Sequence, residues 1–166
     1  MMKNLAAFMA LMLSLLGTAA AKDVSGWVER VRIYPGAIEV NARLDTGAST
    51  SSLHCDCIEE TVREGEKWIR FSVTGYEGES VRLERRVHRV ATVKRHFGET
   101  QERPVILLGV CVGDTYKETE VSLIDRSGLN YQMLIGRSFM EGDLVVDPGE
   151  TFINPPRCRI GSIPAE

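Results

Sequence analysis

The sequence predicts a mostly β fold: a small closed or sandwich-like β domain with one or two short helices. Three observations predict it. Apolar and polar residues alternate at period two in several short segments, Gly- and Pro-containing turns separate them, and the best helix candidates, Cys57–Arg63 and Arg137–Glu141, are short. The 166 residues suffice for one domain and are too few for two ordinary ones. An apolar fraction of 43% excludes a disordered chain, and four Cys are too few for a cysteine-dense mini-scaffold. No internal repeat, low-complexity tract or linker divides the chain, so residues 22–166 read as a single domain.

Trp27–Tyr34 alternates as a half-buried strand does, and Pro35-Gly36 marks a turn. Ala37–Leu44 alternates again, with Ile38, Val40, Ala42 and Leu44 on one face. Lys67–Val73 is a third strand, followed by a turn at Gly75–Gly78. Val81–Val93 suits one long strand with a break. Val105–Val112 is continuously apolar and therefore buried. Glu120–Ile124 alternates, Met133–Ile135 is a short buried strand, and Leu144–Val146 and Thr151–Ile153 suit two final strands around Pro148-Gly149.

Residues 1–21 read as a signal peptide. Lys3 precedes an apolar run from Leu5 to Leu16, and Ala19 and Ala21 fit a small-residue cleavage site. The run is shorter than the roughly 20 residues that cross a bilayer, so no stable membrane span is expected after cleavage. The leader is prokaryotic in style, which points to the periplasm or secretion. Such a compartment is oxidising. Among Cys55, Cys57, Cys111 and Cys158, a Cys55–Cys57 bridge would be strained, and one longer bridge to Cys111 or Cys158 is expected instead. Cys-x-Cys beside His54 lacks the second spaced pair that a tetrahedral metal site needs, so no metal and no cofactor is expected. A net charge of −3 argues against a phosphate-backbone binder, so nucleic acid is not an expected partner.

The chemistry-bearing stretch is ARLDTGASTSSL, residues 42–53. A strand ends in Leu44 and delivers Asp45 at its tip. Gly47 lets the chain turn sharply and brings backbone N–H groups near the acid. Thr46 offers a hydroxyl, Ala48 a small side chain, and Ser49 begins a polar exit. Late in the chain, Met133–Phe139 reads MLIGRSF, two apolar strand residues and then Gly136-Arg137.

An apolar strand ending in Asp-Thr-Gly-Ala, followed late by apolar-Ile-Gly-Arg, resembles the retropepsin-like aspartic proteases. Most of residues 27–153 is similar to one branch of them, labelled ATP-dependent zinc proteases, some of which are encoded beside ATP-grasp ligases that add glutamate to proteins. The carrying stretches are LDTGASTSSLH (44–54), KWIRFSV (67–73), RPVI (103–106) and EVSLIDRSGLNYQMLIGRSFM (120–140). The zinc and ATP labels find no His-Glu-x-x-His and no P-loop here. The resemblance implies a closed β-barrel of the retropepsin (acid protease) type. It also implies a homodimer in which Asp45 of each copy faces the other across a two-fold axis, because this chain has one Asp-Thr-Gly and the chemistry needs two carboxyls.

Asp45 is then the catalytic residue, and Thr46, Gly47, Ala48 and Ser49 support its loop. Gly136 and Arg137 form the structural motif behind that loop, with Arg137 pairing an acid inside the fold. Ala48, standing where many pepsin-like enzymes have Ser, removes a hydroxyl donor and should leave the acid pair more basic. The branch's link to glutamate ligation points to acidic peptide or isopeptide substrates, with Arg126 and Arg43 as substrate-binding residues and the basic run Arg82–Arg95 as a further candidate. Gly75–Gly78 and Gly98 are candidate tips of a covering flap. His54 and His88 read as ordinary polar residues. The alternative is a retropepsin-like binding or signalling module that keeps the loop but does no chemistry. Hydrolysis by a monomer with Asp125 or Glu39 as second acid is a third reading.

Overall fold

The structure, a computed structural model, describes residues 21–94 and 100–158, without the side chains of residues 57, 58 and 94. The leader, apart from its last position, and Gly98 lie outside the described residues. Among the described residues no helix is long and apolar enough to cross a membrane.

Strands β1 (Asp23–Tyr34) and β2 (Ile38–Leu44) form the first hairpin, around the Pro35-Gly36 turn. β2 shows why alternation works as a signal. Ile38, Val40, Ala42 and Leu44 are buried, and Glu39, Asn41 and Arg43 point away from the core. The chain then passes through β3 (Ser51–His54), β4 (Asp56–Arg63), β5 (Glu66–Thr74), β6 (Ser80–Arg86), β7 (Arg89–Lys94), β8 (Thr100–Val112), β9 (Thr115–Ile124) and β10 (Met133–Ile135). Helix α1 (Arg137–Met140) and β11 (Leu144–Thr151) follow.

The sheet closes on itself. The order runs β1-β2-β10-β3-β9-β8, and β8 pairs back onto β1, so six strands form a closed barrel. Closure removes the exposed edges that an open sheet would carry. β11 extends the sheet beside β1 and β7 beside β8, while β4, β5 and β6 form a separate three-stranded sheet. One core serves both sheets: Val31, Val40, Leu53, Val121, Ile135 and Phe139 from the barrel side join Ile69 and Phe71 of β5. Truncating a residue such as Phe139 to Ala would cost about 3–5 kcal/mol.

Several sequence expectations change. Residues 57–63 belong to strand β4 rather than a helix, because pairing with β5 overrides local preference. Val81–Val93 is two strands, and the break at Val87-His88 moves the chain from one sheet to the other. The polar Ser51–His54 is a barrel strand between β10 and β9. The expected final pair of strands is one strand through Pro148-Gly149, an edge position where Pro removes no ladder bond that is needed. The disulfide joins Cys111 to Cys158, with Cα atoms 6.0 Å apart, rather than tying either to the Cys55/Cys57 pair; Cys55 is a buried free thiol.

Candidate active site

The aspartate loop, residues 45–50, joins β2 to β3, and β10 lies between those two strands. The loop therefore arches over the end of β10. Asp45 N–H continues the ladder by donating to Ile135 O at 2.8 Å. Arg137 N–H and Ser138 N–H, at the start of α1, donate to the carbonyls of Ala48 and Ser49 at 2.9 and 3.0 Å. Gly136 N–H donates to Ser51 Oγ at 3.1 Å. A Cβ on Gly136 would lie 2.5 Å from the carbonyl carbon of Thr50, so only glycine lets α1 begin this close to the loop. Gly47 leaves room beside the carboxylate. Its backbone is not left-handed, but a Cβ there would crowd Asp45 Oδ1 at 3.1 Å. That open side lets Gly47 N–H donate to the same oxygen at 2.9 Å.

Among the described residues, Arg137 pairs with no acid. Its Nη1 donates to Thr46 O at 2.9 Å and its Nη2 to Ser49 Oγ at 3.0 Å, so it clamps both limbs of the aspartate loop. The reason is position: α1 begins under the loop, and the backbone carbonyl of Thr46 is the acceptor within its reach.

Asp45 continues the outward face of β2, two residues beyond Arg43, and Arg43 Nη2 bonds Asp45 Oδ2. Burial pushes the Asp45 carboxyl up, but the Arg43 guanidinium and the N–H groups of Gly47 and Ala48 outweigh it. Within one copy the carboxyl is therefore held below the ordinary carboxylate range.

Arg43 and Arg126 line one cleft of about 390 Å³, together with Leu129, Tyr131 and Leu134. Arg126 is held by Ser52 Oγ at 2.9 Å and Tyr131 O at 3.2 Å, and its own N–H donates to His54 Nδ1 at 2.9 Å. Burial and the charges of Arg43 and Arg103 lower its guanidinium below the ordinary value, though not out of the charged form. No described carboxylate bonds it. A second hollow of about 230 Å³ shares Arg126 and Leu134 and is lined by Ala48 and Ser49 below and by Ala91, Val93 and Arg103 of the β7–β8 hairpin. These β7 and β8 residues thus share a hollow with the aspartate loop. The Gly75–Gly78 turn does not. Tyr76 N–H is fastened to Glu39 O, about 20 Å from Asp45 along β2 at strand rise.

Ser52, His54, Tyr131 and Arg103 were not legible as site residues. The signal was partial: His54, Asp125 and Arg126 lie in resembling stretches, but their meeting depends on β3 pairing with β9. Asp125 accepts from Ser127 N–H at 2.8 Å and sits 3.7 Å from His54. Glu39 pairs with Arg32 at 2.6 Å. Neither touches Asp45. The basic run is largely engaged elsewhere: Arg86 pairs with Glu66, and His88 and Arg89 with Glu120. Among the described residues no group of three or more His, Cys, Asp or Glu is placed to hold a metal ion.

Residues 24–157 match the family model described as retropepsin-like aspartic endopeptidase RimB. The chain belongs to the RimB-like family. It is similar to a protein of unknown function from Legionella pneumophila, Lpg0085 (DUF785), with a TM-score of 0.68 and 31% identity over 81% of this chain and 99% of that one. It is also 35% identical over 120 residues to a protein of Shewanella pealeana described as a probable alpha-L-glutamate ligase, covering 70% of this chain and 26% of that protein. A protein of Desulfotalea psychrophila with the same description is 30% identical over 134 residues, 79% of this chain and 28% of its own length. The chain thus spans about a quarter of the length of these relatives. The family match agrees with the resemblance drawn from Asp45-Thr46-Gly47-Ala48 and Gly136-Arg137, and the closed barrel is the fold that the resemblance implied.

Proposed function

We propose that the chain is an exported aspartic peptidase that works as a homodimer on acidic peptide or isopeptide substrates. One observation carries the reading: a carboxylate on a loop fixed by β10 and α1, facing outward beside Arg43, which shares a cleft with Arg126, an arginine without a carboxylate partner among the described residues. A lone carboxyl cannot be base and acid at once. Two copies meeting at Asp45 would supply both, an ionised carboxyl to take a proton from water and a protonated one to give a proton to the leaving amine. Two such groups about 3 Å apart share a proton and titrate as a unit. Thr46 and its partner-copy equivalent would brace the two loops.

Arg126 supports the substrate class. It is half buried and rigidly held, and a guanidinium in that setting binds a carboxylate in a fixed direction. The β7–β8 hairpin would close over the bound peptide. The relatives described as glutamate ligases agree with an acidic partner, since such an enzyme's product carries added carboxylates.

The test is Asp45→Ala against glutamate-rich and unbiased peptide libraries, with mass in solution measured in parallel. Cleavage lost with fold and dimer retained supports the reading. A strictly monomeric protein, or unchanged cleavage, removes it. The second reading, a binding module without chemistry, is favoured by the single ion-paired Asp45 of one copy. It predicts that glutamate-rich peptides bind and are never cut.

A further inference from the structure

Strand alternation sets Arg43 and Asp45 side by side on the outward face of β2. Their side chains are 46% and 22% exposed, so the pair is open enough to exchange partners. Among the described residues, the other groups facing Asp45 are few. They are the N–H groups of Gly47 and Ala48 on its own loop, Arg126 from the β9–β10 connection and, in the proposed dimer, the second Asp45. Arg137 of α1 is committed to Thr46 and Ser49, and Arg103 of β8 lies beyond Arg126. In a dimer, each intact Arg43–Asp45 pair would oppose uptake of the one proton that the two facing carboxyls have to share. A dyad with both pairs intact is therefore slow to acquire its acid.

We propose that Arg43 is a positioning residue that sets the proton count of the dyad by changing partners. A substrate carboxylate draws one Arg43 away from its Asp45, and the released Asp45 takes up a proton from solvent and becomes the acid. The second Asp45 keeps its Arg43 and remains the base. It takes a proton from water, and the hydroxyl adds to the substrate carbonyl carbon. The released Asp45 then gives its proton to the amide nitrogen as the C–N bond breaks. One water is consumed, and the two carboxyls end with their roles exchanged. Asymmetry thus comes from the substrate, since the two copies are identical. Arg126 plays a different part. Its grip on Ser52 and Tyr131 lets it hold a carboxylate without releasing Asp45.

This mechanism rests on the peptidase reading, so the experiment separates the two. Wild type, Arg43→Met, Arg126→Met and Asp45→Asn, all full length, are assayed on hexaglutamate and on its all-glutamine counterpart across pH. The Asp45 carboxyl is titrated by NMR with and without glutarate, a dicarboxylate that cannot be cut. In wild type, hexaglutamate should exceed the glutamine peptide in kcat by about tenfold, the equivalent of one pKa unit at the dyad. Arg43→Met should narrow that gap by raising kcat on the glutamine peptide and should move the acid limb of the pH profile upward. Arg126→Met should raise KM for hexaglutamate and leave the kcat preference. Glutarate should raise the Asp45 titration midpoint in wild type and leave that of Arg43→Met nearly still. Equal proportional loss on both peptides in Arg43→Met, or an Asp45 midpoint that glutarate does not move in wild type, overturns the proposal. Cleavage persisting in Asp45→Asn overturns the peptidase reading itself, whatever the titration shows.

Discussion

The guanidinium of Arg137 donates to the carbonyl oxygen of Thr46 at 2.9 Å, tying the helix that follows β10 to the residue after the aspartate. Its other nitrogen holds Ser49 Oγ at the loop's far side. Arg137→Met removes both bonds from an exposed site, and the expected stability loss is only about 1 kcal/mol. The effect on Asp45 should be larger, because loop position and not loop stability is what Arg137 controls. Peptide hydrolysis should fall by about tenfold or more while thermal unfolding shifts by a few degrees. Arg137→Lys, with one point of attachment in place of a fork, should recover only part of the rate. Equal rates for wild type and Arg137→Met would show that the clamp is dispensable.

Glu29 is fully buried on β1 and accepts from three backbone N–H groups: Gly26 at 2.7 Å, Asn154 at 3.1 Å and Ile153 at 3.2 Å. It fastens the chain after β11 to the barrel. Glu29→Gln keeps the shape but turns an NH₂ toward an N–H donor. The expected cost is about 2–3 kcal/mol in denaturant unfolding, from hydrogen bonds to a charged acceptor and one donor left facing another. A change below about 0.5 kcal/mol, the range of ordinary surface substitutions, would contradict the assignment.

The Cys111–Cys158 bridge pins the end of the same segment, closing a loop with a sequence separation of 47. Paired Cys→Ser replacement should cost about 2–4 kcal/mol in reversible unfolding, chiefly by loosening the restraint on the unfolded chain. Reductant should lower the stability of wild type by a similar amount and leave the double variant unchanged.

Cys55 gives a pH prediction. Burial, with the Asp56 charge adding to it, pushes its thiol up to about 12 from an ordinary value of 9.0. A group raised in the folded state stabilises fully below its unfolded value, and that contribution is lost as pH rises through the folded value. Stability should therefore fall between about pH 9 and 12, and Cys55→Ala should flatten that part of the curve. Alkylation followed by peptide mapping should find Cys55 unreactive at neutral pH until the protein unfolds.

Local pattern explains how much of this was legible. Alternation in residues 38–44 placed Ile38, Val40, Ala42 and Leu44 inward, and burial follows that register. Met133–Ile135 and the helical turn after it were readable because a short apolar run flanked by glycine has few alternatives. Residues 57–63 were misread because seven residues with mixed polarity satisfy either period, and only β5 decides between them. Ser51–His54 was invisible as a strand, because its polar residues are satisfied from other strands, as when Ser122 Oγ donates to Ser51 O at 3.2 Å.

The sequence alone places Asp45 at the end of an apolar strand on a glycine turn, and a Gly-Arg motif after a second short strand. These are consequences of periods and turn chemistry acting over a few bonds. Tertiary pairing alone brought Arg137 to the loop backbone, His54 and Ser52 to Arg126, β7 and β8 rather than Gly75–Gly78 to the hollow beside the aspartate loop, and Cys111 to Cys158. Each of those depends on which strands pair when the barrel closes, and closure is a contest among long-range contacts that no local window contains.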